Sequence, residues 1–134
     1  MCIVVDIDGT LVTWQSDRPD WDSYNHVSDV PVEPVLALLK DQWLRQKIVI
    51  LSARPEICRQ QTEFLLQKHG IKYDALILRK DRAQHATEFK SDCIKYIQQN
   101  FGEITYVIED DPQNVRMFVN KGIFVIDVGC NFRS

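Results

Sequence analysis

The sequence is organised by five short apolar runs rich in β-branched residues, at 2–5, 48–51, 75–78, 105–108 and 124–128. Each is followed by a segment that reads better as helix or loop, which is strand–helix–strand alternation. A strand with one wet face alternates apolar and polar residues, and these runs do not alternate. They suit strands covered on both faces, as in a parallel sheet between two helical layers. The fold class expected is α/β, with five central strands.

The intervening segments supply the helices. Pro34 suits a first helical turn, and Val35, Leu38, Leu39 and Trp43 then form one buried stripe in a helix over 34–46. A second helix starts near Glu56 after Pro55, presents Ile57, Phe64 and Leu65, and ends at His69-Gly70. A third spans 91–101, with Ile94, Ile97 and Phe101 on one side. The fourth begins at Pro112, turns Val115, Phe118 and Val119 inward, and stops at Lys121-Gly122. Two polar segments, 12–30 and 79–89, fit neither pattern and read as excursions from the sheet.

Composition narrows the class. A chain of 134 residues with 45% hydrophobic residues buries enough surface to fold without a disulfide or metal staple, and no repeat or linker divides it, so residues 1–134 read as one domain. Cys2, Cys58, Cys93 and Cys130 form no C-x-x-C pair, which argues against a zinc site or a redox dithiol and for small buried hydrophobes. No run approaches the ~20 apolar residues of a membrane span, and no basic leader precedes the first run, so a cytoplasmic protein is expected. The net charge of −3 offers no global attraction to nucleic acid, though a local basic patch remains compatible with it.

Ligands of an open parallel sheet bind beyond the carboxyl ends of its strands. There the chain places Asp6-Ile7-Asp8-Gly9-Thr10, Ser52-Ala53-Arg54 and Glu109-Asp110-Asp111. Several carboxylates at one place repel one another and drive their pKa values up unless a cation intervenes. Oxygen donors without His or Cys point to magnesium (Mg2+). Asp6 and Asp8, two residues apart on an extended segment, can face one reaction centre, and Gly9 lets the backbone turn away. One carboxylate can then serve as a nucleophile and the other as a proton donor. Any one of these residues has a bland reading, since Asp caps turns and Ser52 suits a helix N-cap; Glu109 is read as facing solvent or the flap and is given no role.

The D-x-D-G-T run at Asp6–Thr10 resembles the first motif of the haloacid dehalogenase superfamily of phosphotransferases. Ser52 is similar to its second motif, Lys90 to its third and Asp110-Asp111 to its acidic fourth, in order along nearly the whole chain. Within the superfamily, Ser52-Ala53-Arg54, Leu78-Arg79, the run from Asp81-Arg82 to Lys90 and the Asp110-Asp111 pair resemble the 3′-phosphatase domain of phage-type polynucleotide kinase/phosphatases. No phosphate-cradling G-x-x-x-x-G-K-[ST] loop is present in this sequence.

The resemblance implies a two-step reaction through an aspartyl-phosphate. Asp6 attacks phosphorus; Asp8 protonates the leaving oxygen and then activates water. Mg2+ is held by the Asp6 carboxylate, the Asp8 carbonyl, and Asp110 with Asp111, while Ser52, Lys90 and Arg54 hold the phosphoryl group. Asp8 argues for phosphate esters over alkyl halides. The excursions are too short for a cap domain, leaving a Rossmann-like domain with strand one flanked by strands two and four, and an open site or one with a minimal flap. That suits a phosphorylated substrate presented on something large, such as a nucleic-acid 3′ end. Trp14 and Trp21, in the excursion with Tyr24, and a basic cluster of Arg54, Arg79, Lys80 and Arg82 are the candidate substrate contacts; a packed flap and a solvated rim are the plainer readings. A small-molecule phosphatase and a non-catalytic phosphate- or partner-binding domain are the rival functions. A phosphoacceptor receiver domain fits poorly, because the third strand ends in Leu78-Arg79-Lys80.

Overall fold

In the computed structural model, which describes residues 1–14 and 29–129, the five runs form one parallel sheet. Its strands are β1 (Cys2–Val5), β4 (Lys47–Pro55), β5 (Ala75–Arg79), β6 (Ile104–Glu109) and β7 (Val125–Asp127), in the order β5-β4-β1-β6-β7. The expected central position of the first strand, between the second and fourth, is the one observed. Two further short strands, β2 (Val12–Trp14) and β3 (Asp29–Pro31), pair antiparallel as a separate ribbon within the first excursion.

The absence of alternation in the runs has its cause in the two cores. Ile3 and Val5 of β1, with Ile48 and Ile50 of β4, pack on one side of the sheet against Val35, Leu36, Leu39, Leu65 and Leu66. Cys2, Val4, Val49 and Leu51 point to the other side, against Phe89, Ile94, Ile97 and Phe118. Helices α1 (Glu33–Gln42) and α2 (Arg59–Lys68) cover the first face, and α3 (Ala86–Phe101) and α4 (Pro112–Asn120) the second. Every inner strand position is therefore apolar whichever way it points.

Several helical details differ from expectation. α1 stops at Gln42 and buries Leu36 along with Val35 and Leu39. In α2 the inward residues are Thr62, Leu65 and Leu66, while Ile57 and Phe64 are exposed. In α4 Phe118 is buried as expected, but Val119 is exposed and Asn114 is buried in its place. α3 starts five residues before the expected Ser91, capped by His85, whose Nδ1 accepts from the Thr87 amide at 3.2 Å. The last four residues of the second excursion, 86–89, are thus helix, and Lys90 lies inside it. Cys2 and Cys58 are buried and Cys93 is half-buried, all as free thiols; Cys130 lies outside the described residues. Among the described residues no helix is long and apolar enough to cross a membrane.

Candidate active site

Parallel strands bring the ends of β1, β4 and β6 to one edge, where they line a cleft of about 210 Å³. Asp6 leaves β1 still tied to the sheet, its amide donating to Ile108 O at 3.1 Å. The chain then turns at Gly9 with φ of +82°, and a Cβ there would lie 2.2 Å from Asp110 Oδ2. Glycine is required twice over, by the left-handed backbone and by the space Asp110 fills.

Asp6 is only 7% exposed. Lys90 Nζ donates to its Oδ1 at 2.9 Å, and Thr10 Oγ1 to its Oδ2 at 3.2 Å. Lys90, itself 2% exposed, also donates to Glu109 Oε1 at 2.7 Å. Glu109 Oε2 in turn accepts from the amides of Asp110 (2.9 Å) and Asp111 (3.2 Å). The expectation that Glu109 faces solvent or the flap is overturned: it is 1% exposed and anchors both the lysine and the β6–α4 turn. A strand-end glutamate is ordinarily solvated, and nothing local in sequence reveals that its partner is a helix residue 19 positions away.

Oxygens of Asp6, Glu109 and Asp110 lie within 4.8 Å of one another. Burial, then the neighbouring Glu109, pushes the Asp6 pKa well above the usual carboxylate range against the pull of Lys90. Burial likewise raises Asp110 to about 6. For Glu109 burial works upward, but Lys90, with the Asp111 amide and the Asp110 side chain, outweighs it and holds the group below its ordinary value. Lys90 is held protonated, since Asp6 and Glu109 together outweigh the cost of its burial. With all three carboxylates ionised, one ammonium would leave two negative charges uncompensated, a donor set suited to a divalent cation with oxygen ligands.

The other expected residues are distributed as follows. Asp8 is paired with Arg54, whose Nε and Nη2 donate to the two Asp8 oxygens at 2.9 and 2.7 Å. Arg54 is fully buried, so it belongs to the floor of the cleft and not to a solvated rim. Ser52 Oγ accepts from the Arg54 amide at 3.1 Å and lines the cleft. Asp111 is exposed, and its Oδ1 caps α4 by accepting from the Gln113 amide at 2.8 Å. Arg79 lines the cleft, with Nε on Ala53 O (3.1 Å) and Nη1 on Gln84 O (2.7 Å); Lys80 and Arg82 are exposed. Asn114, which sequence reasoning missed, lines the same cleft and accepts from Thr87 Oγ1 at 2.7 Å, joining the starts of α3 and α4. Trp14 lies in β2, its side chain outside the described set, and Trp21 and Tyr24 lie outside the described residues.

A Rossmann-like sheet whose first strand runs into D-x-D-G-T, with an acidic cluster and a buried lysine at the same edge, defines a phosphatase domain of the haloacid dehalogenase type. Comparison with known proteins narrows this. The model of the polynucleotide kinase PNKP phosphatase domain matches residues 1–131, and the chain belongs to that family. Two chains from structures of the Pnkp1/Rnl/Hen1 RNA repair complex superpose with TM-scores of 0.82 and 0.86, each at 25% identity. They cover 94% and 95% of this chain, which spans only 41% and 44% of theirs. No curated protein matches the chain.

Proposed function

We propose that the chain is a Mg2+-dependent phosphomonoesterase that works through an aspartyl-phosphate on Asp6 and acts on nucleic-acid or nucleotide 3′-phosphates. The observation that carries this reading is the buried Asp6 carboxylate, held on one oxygen by Lys90 and on the other by Thr10 at the mouth of the cleft. A carboxylate attacks phosphorus only when ionised, and its surroundings oppose ionisation. Mg2+, held by the carboxylates of Asp6 and Asp110 with the Asp8 carbonyl as a further oxygen, supplies the compensating charge. Asp111 spends its Oδ1 on capping α4 and would reach the metal through its other oxygen or through water.

The protein's own groups then divide the work. An ammonium has three N–H donors; Lys90 spends two on Asp6 and Glu109, leaving the third for a phosphoryl oxygen. Ser52 accepts from the Arg54 amide, so its hydroxyl proton is available to another. As Asp6 attacks, the bond from phosphorus to the leaving oxygen breaks and Asp8 gives that oxygen a proton. In the second step Asp8 takes a proton from water, which cleaves the acyl phosphate and restores Asp6. Arg54 donates to both Asp8 oxygens, so a protonated Asp8 surrenders one of these bonds and regains it when ionised. Arg54 thereby acts on phosphate through Asp8.

The substrate class follows from size and charge. A cleft of about 210 Å³ among the described residues is below the about 300–1,000 Å³ of pockets that enclose a whole small ligand. The leaving group therefore lies largely outside, over a rim where Arg79 and Arg82, with Trp14 and Trp21 of the excursion, are the candidate contacts. Relatives found in an RNA repair complex support a polynucleotide end. The test is a panel of 3′-phosphorylated oligonucleotides, 3′- and 5′-mononucleotides and sugar phosphates at two salt concentrations. The 3′-phosphorylated oligonucleotide should lead, with its advantage over the mononucleotide shrinking as salt rises. A sugar phosphate or 5′-mononucleotide leading by about tenfold in kcat/KM, about 1.4 kcal/mol, assigns the enzyme to small molecules.

A further inference from the structure

The end of the sheet opposite the cleft carries a surface that phosphate chemistry does not use. The end of α1 and the loop after α2 form a groove of about 300 Å³ there, lined by buried Leu36, Leu39 and Ile71 and by half-buried Trp43. Trp43 also borders a shallower depression that continues past Leu44 to Met1. Leu44 is 92% exposed and Met1 75% exposed, so the apolar lining of the groove continues onto open surface. Because the strands are parallel, this face lies about one strand length, roughly 15–20 Å, from the catalytic edge.

The charged residues that line the groove and the depression are four cations, Lys40, Lys72, Arg45 and Lys47, against one carboxylate, Asp74. Lys40 and Lys72 border the groove and Arg45 the depression, and none of the three forms an ion pair among the described residues. Asp74 accepts from the Ile48 amide, and Asp41 at the end of α1 accepts from Gln42 Nε2. This basic rim stands on a chain whose net charge is −3. His69, which also lines the groove, has its Nε2 buried without a hydrogen-bond partner among the described residues, an uncommon condition in a folded protein.

We propose that this face docks an amphipathic, acidic segment of a partner protein, with large apolar side chains seated in the groove and over Leu44 and carboxylates opposite Lys40, Arg45 and Lys72. A second copy of this chain fits less well, because a two-fold contact sets the basic rim against itself. A nucleic-acid backbone fits less well too, since it would lay charged phosphates on an apolar lining.

The test is selection from a random peptide library of about 16 residues, some four helical turns, against the immobilised full chain. Selected peptides should be rich in Asp and Glu together with Leu, Phe or Trp. By calorimetry their affinity should fall at least about tenfold for Leu44→Glu and for the double variant Lys40→Glu/Lys72→Glu, and should weaken as salt rises. Aryl phosphate hydrolysis should be unchanged in both variants, and the exposure of all three positions lets them fold. A selection that yields no binder, neutral or basic peptides, or peptides that bind Leu44→Glu as tightly as the parent overturns the proposal. So does a concentration-dependent dimer in sedimentation that Leu44→Glu abolishes, because a second copy then covers the face.

Discussion

Glu109→Gln tests how the acidic edge is held together. One Glu109 oxygen serves Lys90 at 2.7 Å and the other serves the amides of Asp110 and Asp111 at 2.9 and 3.2 Å. Glutamine has one acceptor oxygen and one N–H2 group, so whichever way it turns, a donor meets a donor. Either Lys90 loses its partner or the two amides of the β6–α4 turn lose theirs. Losing a hydrogen bond to a charged group costs about 1.5–3 kcal/mol, and unpairing a buried charge about 3–5. Lys90 keeps Asp6, so the expected loss lies at the lower end, about 2–3 kcal/mol. Urea unfolding should show a lower midpoint with an unchanged slope, and the double variant Glu109→Gln/Lys90→Met should lose less than the sum of the single losses, because the two residues interact directly. A Glu109→Gln loss below about 0.5 kcal/mol, the range of ordinary surface substitutions, would refute the anchoring role.

Three further outcomes are expected. Gly9→Ala combines a left-handed backbone with a Cβ 2.2 Å from Asp110 Oδ2, so it should cost at least about 1–2 kcal/mol of stability and raise the Mg2+ concentration needed for half-maximal activity; an unchanged Mg2+ requirement contradicts the placement of Asp110 beside the metal. Asp110 titrates near 6 in the folded, metal-free protein because burial raises it. The native state therefore keeps a proton that the unfolded chain has already released, and the stability this contributes is complete below the ordinary carboxylate pKa and lost as pH rises through about 6. Mg2+ competes with that proton, so its thermal stabilisation should be larger at about pH 7 than at about pH 5; equal stabilisation counts against the site. Asp8→Asn should slow alkyl phosphates more than aryl phosphates with good leaving groups, because only a poor leaving alkoxide needs a proton, and equal losses in single-turnover rates would deny Asp8 the acid role.

The sheet was legible in the sequence because each strand, buried on both faces, leaves a continuous apolar run, as in Cys2–Val5. Helix boundaries were less so, and for identifiable reasons. The first turn of α3 is capped by the imidazole of His85, a side chain outside the usual capping set, so the segment before Ser91 reads as loop. In α2 the buried stripe runs through Thr62, and a polar residue on the inner face hands the apparent apolar stripe to Ile57 and Phe64. At the site, the residues gathered by the ends of β1 and β4 could be read from parallel topology alone. What could not be read is how charges pair across the chain: Arg54 to Asp8 across 46 positions and Lys90 to Glu109 across 19. Those pairings turned an expected rim arginine into a buried one and an expected solvent-facing glutamate into an anchor.

Rapid acid quench during turnover of an activated phosphate monoester, followed by peptide mass spectrometry, tests the nucleophilic role of Asp6 most directly. A single phosphoryl group should be found on the peptide containing Asp6, should be released by hydroxylamine as an acyl phosphate is, and should be absent in Asp6→Asn and in excess EDTA. A phosphoryl group on another residue, or Asp6→Asn retaining more than about a hundredth of the parent rate, under about 2.7 kcal/mol of lost transition-state stabilisation, would contradict the account.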